Sequence, residues 1–549
     1  MDEKTLERFH EWERRADDVA VRRELAAMAG DEKTLENRFY KHLEFGTGGL
    51  RGVVGAGTNA LNIYTVLRAS RGVAAYMNAH GLARAAISYD SRKNSRLFAE
   101  TAARAFAARG IAVVMVPELM PTPFLSFLTR EKECGMGVMI TASHNPAVYN
   151  GYKVYNSDGC QITDAAAAEI SACIAEEEYF GGNEGAFSQY VQSGAVSYCG
   201  EEVEEKYLSG IFSLLSPDLQ GLKIAYTALN GTGHRIVPKA LRRAGAQVEL
   251  VAEQCVPDEN FTTCPYPNPE KREALSLGLQ YAEKCGADLL LATDPDADRV
   301  GIAVRSGGKY QLLTGNEVGL LLCEYLLEDL RARGGDTSRA LIIKTIVTTK
   351  LADEVAAHYG AGVIDVLTGF KYIGEQIGLL EKKGEADRFL LGFEESYGYL
   401  VGTQVRDKDA VAASLAICKM AAAYKRAGKD LAAALAALYA KYGRRVNILK
   451  TFEYAGAEGA VQLAQRMAAM RAALRAGEFA GKPAGFCDYL ESEKTGLPKS
   501  NVLSVDLGGG GSAVVRPSGT EPLLKLYVSA PSAEEAEKIA ASLAAQFDL

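Results

Sequence analysis

The segment Thr141-Ala142-Ser143-His144-Asn145-Pro146 places a small hydroxyl beside an imidazole, directly after Cys134 to Ile140. That apolar run, rich in Gly and Met, predicts a buried strand, and Pro146 forbids its continuation. Ser143 therefore belongs on a loop at a strand's end, the edge of an open α/β sheet where ligands bind. By itself a Ser-His pair is equally compatible with turn and capping chemistry.

A second segment narrows the chemistry. Asp294-Pro295-Asp296-Ala297-Asp298-Arg299 follows the apolar run Ala287 to Ala292, which predicts another buried strand. In an extended segment, side chains two apart share a face, so Asp294, Asp296 and Asp298 are expected to converge. Three neighbouring carboxylates call for a cation, and an all-oxygen set selects a hard ion such as Mg2+. A calcium-binding EF-hand loop does not fit, because its sixth position would be Arg299 and its twelfth Arg305.

Three further segments carry groups for an anion or a sugar. Arg516-Pro517-Ser518-Gly519-Thr520-Glu521-Pro522 combines a guanidinium, two hydroxyls and a Gly that lets backbone N–H groups approach, a set suited to phosphate oxygens. Gly392-Phe393-Glu394-Glu395-Ser396 sets carboxylates and a hydroxyl at the end of a strand, a set suited to sugar hydroxyls and, taken alone, equally to a solvated loop. Thr368-Gly369-Phe370-Lys371 offers a lysine able to act as acid or base if its neighbours lower its pKa. Phe45 to Gly52 is too poor a match for a dinucleotide loop, since no strand precedes it, and reads instead as a turn presenting Arg51.

The elements that must position these groups alternate between strand and helix. Ala85 to Tyr89 and Ile111 to Val116 predict strands, and Arg96 to Arg109 and Pro121 to Thr129 predict helices. Strand–turn–helix openings recur at Leu222 to Tyr226 and Ala340 to Ile346. The expected fold class is α/β: three successive α/β domains with mixed or mostly parallel sheets, plus a smaller C-terminal α+β domain, around a central cleft. The expected boundaries are 1–205, 206–314, 315–442 and 443–549. Residues 1 to about 44 are expected to form a solvated helical cap, with a helix start at Asp31. Phe180 to Gly185 reads as a surface loop, and Gly508 to Gly511 as a hairpin turn.

With 549 residues, 48% of them apolar and 24% charged, the chain has the composition of an ordinary globular protein of several domains. Its ten cysteines form no C-x-x-C pair, which argues against zinc and a disulfide framework. A net charge of −8 argues against a nucleic-acid surface, so any anionic ligand must be held by local groups. No apolar run is long enough for a membrane span and the charged start lacks the pattern of a leader, so the expected location is cytoplasmic.

Four of these segments, in this order, resemble the α-D-phosphohexomutase family of phosphoglucomutases and phosphomannomutases: T-A-S-H-N-P with its follower Asn150-Gly151-Tyr152-Lys153, then D-x-D-x-D-R, G-x-E-E-S and R-P-S-G-T. The resemblance spans about residues 45 to 530. It implies that Ser143 carries a phosphate and completes, with Asp294, Asp296 and Asp298, the shell of one Mg2+. It implies that Glu394 and Ser396 grip sugar hydroxyls, and that Arg516, Ser518, Gly519 and Thr520 clamp the phosphate that is not transferred. Arg51, Lys153, Arg299 and Lys371 fall where the family places cationic or proton-transferring groups, while His144 supports the loop. Pro295 and Ala297 depart from the glycines of many relatives, and E-E-S departs from the E-M-S of dual-specificity phosphomannomutases.

The implied activity is that of a phosphoglucomutase exchanging phosphate between the 1- and 6-positions of glucose, with glucose 1,6-bisphosphate as intermediate and activator. Phosphopentomutase and phosphomannomutase are the alternatives within the class. A phosphatase using Asp294 as nucleophile and a sugar-phosphate sensor are the alternatives outside it. The expected partners are small sugar phosphates, with neither nucleic acid nor membrane, acting on a monomer or homodimer.

Overall fold

A computed structural model describes residues 2–454, 456–481, 483–518 and 523–549. The chain forms two compact units, one from Met1–Leu313, Ile373–Phe389 and Ser396–Gly428, the other from Thr314–Tyr372, Leu390–Glu395 and Lys429–Leu549.

The first unit opens with three helices, α1 (Glu3–Arg15), α2 (Val19–Met28) and α3 (Glu32–Phe39). Each starts at an aspartate, Asp2, Asp18 or Asp31, whose side chain accepts an N–H of the first turn. The cap is less solvated than its charge suggests. Phe9, Trp12, Val21, Leu25, Met28, Leu35 and Phe39 form a core with Ala56, Tyr64 and Phe180. Phe180 to Gly185 is the expected loop and is exposed at 181–183, but it is anchored at its ends: Phe180 is buried in the same cluster, and Glu184 makes a buried 2.7 Å ion pair with Arg71.

After the cap come β1 (Leu50–Val53), the helix α4 (Ile63–Ala79), and strands β2 (Arg84–Tyr89), β3 (Ala112–Met115), β4 (Met136–Ile140), β5 (Tyr149–Asn156) and β6 (Val196–Tyr198). They form a six-stranded sheet in the order β1-β5-β4-β2-β3-β6. The centre is parallel, while β5 runs antiparallel to both β4 and β1. Arg51 thus lies on an edge strand and not on the glycine turn before it. A second sheet holds β7 (Lys223–Thr227), β8 (Gln247–Leu250), β9 (Leu289–Thr293), β10 (Val300–Ser306) and β11 (Lys309–Leu313), in the order β11-β10-β9-β7-β8. Strands β4 and β9 are buried along their whole length, which is why their sequences read as unbroken apolar runs.

In the second unit β12 (Leu341–Thr345) pairs in parallel with β13 (Gly362–Val366), and β14 (Phe389–Phe393) leads into the Glu394-Glu395 loop. The short strand β15 (Tyr399–Leu400) belongs to the first unit. The chain ends in an antiparallel sheet of β16 (Val446–Glu453), β17 (Gly485–Asp488), β18 (Leu503–Gly508), β19 (Gly511–Pro517) and β20 (Leu523–Ala530), in the order β16-β20-β19-β18-β17. The helix Ala533–Phe547 packs on it through Ala536, Ala540, Leu543 and Phe547. The glycines joining β18 to β19 form the expected hairpin turn, with φ of 72°, 57° and 82° at Gly508, Gly509 and Gly510. The architecture is three α/β domains with mixed sheets and a smaller α+β domain. Among the described residues no helix is long and apolar enough to cross a membrane.

Candidate active site

Ser143 sits where the loop leaves β4, with φ at 53°. A left-handed backbone at a serine is strained by roughly 1–3 kcal/mol and persists only where its surroundings impose it. Those surroundings are Arg92, whose guanidinium donates to the carbonyls of Ser143, Asn145 (2.5 Å), Pro146 (2.9 Å) and Tyr149 (3.0 Å). Arg92 is buried, lies 3.2 Å from Asp90 and stacks over Phe261. The Ser143 N–H donates to Thr141 Oγ1 at 2.8 Å. The hydroxyl is left facing Asp294, to whose Oδ2 it donates at 2.9 Å, with His144 Nδ1 3.2 Å away.

Asp294, Asp296 and Asp298 follow β9 and are all buried, with ligand oxygens within 4.8 Å of one another. They converge through a turn rather than through the expected extended segment. Ala297 adopts φ 49°, its N–H returns to Asp294 O at 2.9 Å, and Asp294 Oδ1 accepts the N–H groups of Asp298 and Arg299. The loop is held from outside by Thr122 N–H on Asp296 O, Thr232 N–H on Pro295 O and Ala410 N–H on Ala297 O.

The donor set fits a hard cation. Asp296 Oδ2 accepts from Lys153 and Thr122 at 2.8 Å each, whereas Asp296 Oδ1 and Asp298 Oδ1 are buried without a hydrogen-bond partner. Burial, with the charges of Asp296 and Asp298 next, pushes the Asp294 carboxyl well above its ordinary range. Burial and Asp296 likewise raise Asp298. For Asp296 burial acts in the same direction, but the Lys153 ammonium together with the hydrogen bonds from Lys153, Asp294 and Thr122 holds the group below the usual carboxylate range. A divalent ion on the two unpartnered oxygens would remove the repulsion that raises the other two. Burial, followed by the charges of Arg299 and Arg51, drives His144 well below the ordinary histidine range, so the imidazole is neutral.

Cations surround the triad. Lys153, on β5, reaches Asp296 at 2.8 Å and Asp298 at 3.7 Å. Arg299 pairs with Glu270 at 2.6 Å, and Arg51 lies close enough for its charge to act on His144 and Arg92. Lys408 stands 3.2 Å from Asp298. Its loop is tied down by Tyr155 on Asp407 and Tyr207 on Asp409. Nothing in the sequence near Lys408 pointed to it, because its partner lies 110 positions away. Arg92 had a weak signal, standing just past a predicted strand. Ser396 joins this unit too: Tyr397, at φ 66°, accepts from Val300 N–H, and Gly398 forms a bridge with Arg299.

The remaining candidates lie in the second unit. Glu394 is buried and its Oε1 accepts Gly369 N–H at 3.2 Å, two residues before Lys371. Glu395 accepts from Thr345 and Thr348. Arg516 lies on β19 and Ser518 just beyond it, its N–H bonded to Leu523 O at 2.8 Å. Gly519 and Thr520 fall outside the described residues. Tyr527 joins the two loops: burial first, then Glu395, push its hydroxyl up to about 12, while Arg516 acts on it in the opposite sense. The charges of Glu395 and Arg516 thus both act on one tyrosine, a residue without any sequence signal.

Four domain families match the chain in order. Three are described as phosphoglucomutase/phosphomannomutase alpha/beta/alpha domains I, II and III, over residues 42–180, 205–308 and 314–442, and the fourth as the C-terminal domain, over 405–546. The chain belongs to the phosphoglucomutase/phosphomannomutase family.

This family comprises phosphosugar mutases, which are intramolecular phosphotransferases of the isomerase class. Among its curated members, a phosphoglucomutase of Staphylococcus aureus (strain bovine RF122 / ET3-1) is 36% identical over 535 residues, covering 94% of each chain. A phosphoglucomutase of Staphylococcus saprophyticus is 35% identical over 507 residues, covering 89% of this chain and 90% of that one. The fold is shared with pp63/parafusin, a phosphoglucomutase from Paramecium (TM-score 0.71, 18% identity, 93% of this chain and 95% of that one). It is also shared with a phosphoglucomutase/phosphomannomutase family protein of Burkholderia thailandensis (TM-score 0.69, 20% identity, 91% and 97%).

Proposed function

We propose that the protein is a phosphoglucomutase, interconverting glucose 1-phosphate and glucose 6-phosphate through a phosphate carried on Ser143 and a glucose 1,6-bisphosphate intermediate. The observation that carries this reading is the 2.9 Å contact between the Ser143 hydroxyl and Asp294, within a buried triad whose other two members each keep a free oxygen. A phosphatase using Asp294 as nucleophile is disfavoured, because the Asp294 Oδ1 is occupied by two N–H donors and its Oδ2 by Ser143.

Asp294, Asp296 and Asp298 would hold one Mg2+, with the Ser143 phosphate as a further ligand. Bound there, the ion supplies Lewis-acid stabilisation of the phosphoryl oxygens. The chain's own residues do the rest. Arg92 fixes the backbone of the Ser143 loop, so that Oγ does not move as charge develops. Lys153, Lys408, Arg299 and Arg51 offset the roughly −1.5 to −2 charges of a phosphoserine. When the serine is free its hydroxyl donates to Asp294 Oδ2, and the neutral His144, with Nδ1 3.2 Å from Oγ, supports the loop from the other side. Glu394 and Ser396 are assigned to the sugar hydroxyls, Arg516 and Ser518 with Gly519 and Thr520 to the distal phosphate, and Lys371 to proton transfer at the attacking hydroxyl. The proposed domains are 1–205, 206–314, 315–442 and 443–549.

The decisive assay supplies glucose 1-phosphate, Mg2+ and a trace of glucose 1,6-bisphosphate. A mutase yields glucose 6-phosphate and no inorganic phosphate. Release of phosphate would favour the phosphatase, and binding without conversion would favour a sensor. Comparing kcat/KM for the 1-phosphates of glucose, mannose and ribose distinguishes the proposed activity from a phosphomannomutase and a phosphopentomutase.

A further inference from the structure

The three N-terminal helices precede the residues matched to domain I, and no step above uses them. They are nevertheless fastened to the segment that directly follows the Arg51 strand. Residues 54–60 leave β1 and return to α4, and the cap grips them at several points. Ala56 N–H donates to Glu24 Oε2 at 2.7 Å, and Asn59 N–H donates to Arg38 O at 2.9 Å. Thr58 Oγ1 donates to Lys41 O at 2.7 Å, and Leu43 N–H returns to Thr58 O at 2.8 Å. The approach is close enough to require glycine. A Cβ on Gly57, at φ 121°, would stand 2.6 Å from Arg38 O, and one on Gly55 would stand 2.8 Å from Glu24 Oε2. From inside, Asn62 donates to Gly55 O and Gly57 O and caps α4 with its own oxygen.

This clamp sits just beyond the C-terminal end of β1, where Val54 N–H on Val148 O at 2.8 Å and Leu61 N–H on Val53 O at 2.9 Å hold the chain from the other side. β1 is an edge strand, four residues long, whose one ladder among the described strands is with β5, so its position depends on that ladder and on how the chain leaving it is held. The ladder sets Arg51 opposite Gly151, two residues along β5 from Lys153, whose ammonium reaches Asp296 at 2.8 Å. We infer that the cap is a positioning element for Arg51, and that Glu24 is its principal positioning residue. The inference rests on the reading of Arg51 as a cation facing the reacting phosphate, where displacement of a charge by a fraction of an ångström slows the chemical step.

The test is a double-mutant cycle on the full chain with Glu24→Ala, Glu24→Gln, Arg51→Ala and Glu24→Ala/Arg51→Ala. Glu24→Ala is expected to lower kcat about tenfold while KM for glucose 1-phosphate stays within about twofold. Glu24→Gln keeps an acceptor for Ala56 N–H and is expected to restore the rate. In the Arg51→Ala background the further loss from Glu24→Ala is expected to disappear. Hydrogen exchange at the Ala56 amide should quicken in Glu24→Ala, with the buried Trp12 emission unmoved, which separates loosening of the loop from loss of the cap. A normal rate in Glu24→Ala despite a fast-exchanging Ala56 amide overturns the inference alone, as does a loss that adds fully to that of Arg51→Ala. A normal rate in Arg51→Ala overturns the reading of Arg51 and this inference with it.

Discussion

Ser143 and Asp294, 151 positions apart in the chain, share a 2.9 Å hydrogen bond between a loop of the first sheet and a loop of the second. The bond makes the Ser143 loop and the carboxylate triad one candidate site, and it orders the consequences that can be measured.

Replacing Ser143 by Ala removes the hydroxyl that donates to Asp294. Turnover should fall by at least about 10⁴-fold, because a covalent carrier has no substitute when its atom is deleted. Sugar-phosphate affinity, read by calorimetry, should change little. Incubation of the parent with glucose 1,6-bisphosphate should give an acid-stable phosphoserine that mass spectrometry places at residue 143. A Ser143→Ala protein with near-normal turnover would falsify the carrier role.

Thr122 donates to Asp296 Oδ2 and also holds the backbone of the same residue through its N–H. Thr122→Val keeps the shape and the N–H contact and deletes only the hydroxyl. Outer-shell hydrogen bonds of this kind are worth roughly 10–100-fold in metal affinity. Titration with Mn2+ should show weakening in that range with an unchanged melting temperature; unchanged affinity would argue against an ion on Asp296.

Asp409 starts the helix Ala410–Arg426 and accepts from Val411, Ala412 and Tyr207 on one oxygen. Burial raises its carboxyl to about 6 against those three bonds. A raised folded-state value means that the native chain holds the proton longer than the unfolded one. The contribution is therefore fully present below pH 4 and is lost as pH climbs through 6, a swing of about 3 kcal/mol. Asp409→Asn keeps the accepting oxygen and has no charge to bury. Its stability relative to the parent, from urea denaturation, should rise between pH 4 and pH 7; a constant difference would mean Asp409 titrates normally.

Trp12 is the single tryptophan of the chain and is fully buried against Phe39, Tyr64, Tyr179 and Phe180. Its emission reports the helical cap alone. Trp12→Ala should destabilise the cap by roughly 3–5 kcal/mol through the cavity it leaves. Faster amide exchange in Glu3–Arg15 and Glu32–Phe39, with β7 and β9 unaffected, is the expected signature. Uniform destabilisation across the chain would instead make the cap an inseparable part of the first domain.

Much of the site was legible from residue types in short runs. The Ser143 loop, the aspartate triplet and the Glu394 loop each follow a buried strand whose unbroken apolar sequence announces it, and each contains its functional groups within six residues. The geometry inside those runs was less legible. The aspartates converge through a left-handed Ala297 where alternation along a strand was expected, since several N–H groups turning toward one carboxylate outweigh the extended preference. The burial of Phe180 and Glu184 within their loop was not legible because their partners, the cap cluster and Arg71, lie more than a hundred positions earlier.

The chain's linear order determined the alternation of strand and helix, the residue types of the site and the family to which they belong, because these depend on neighbours within a few positions. Which distant groups complete the site was decided only by folding. Arg92 gathers the carbonyls of the Ser143 loop, Lys408 and Lys153 flank Asp298, and the charges of Glu395 and Arg516 both act on Tyr527. No periodicity encodes such meetings: each is a contact between separate elements whose side chains are ordinary in their own sequence surroundings and acquire their roles from what packing sets opposite them.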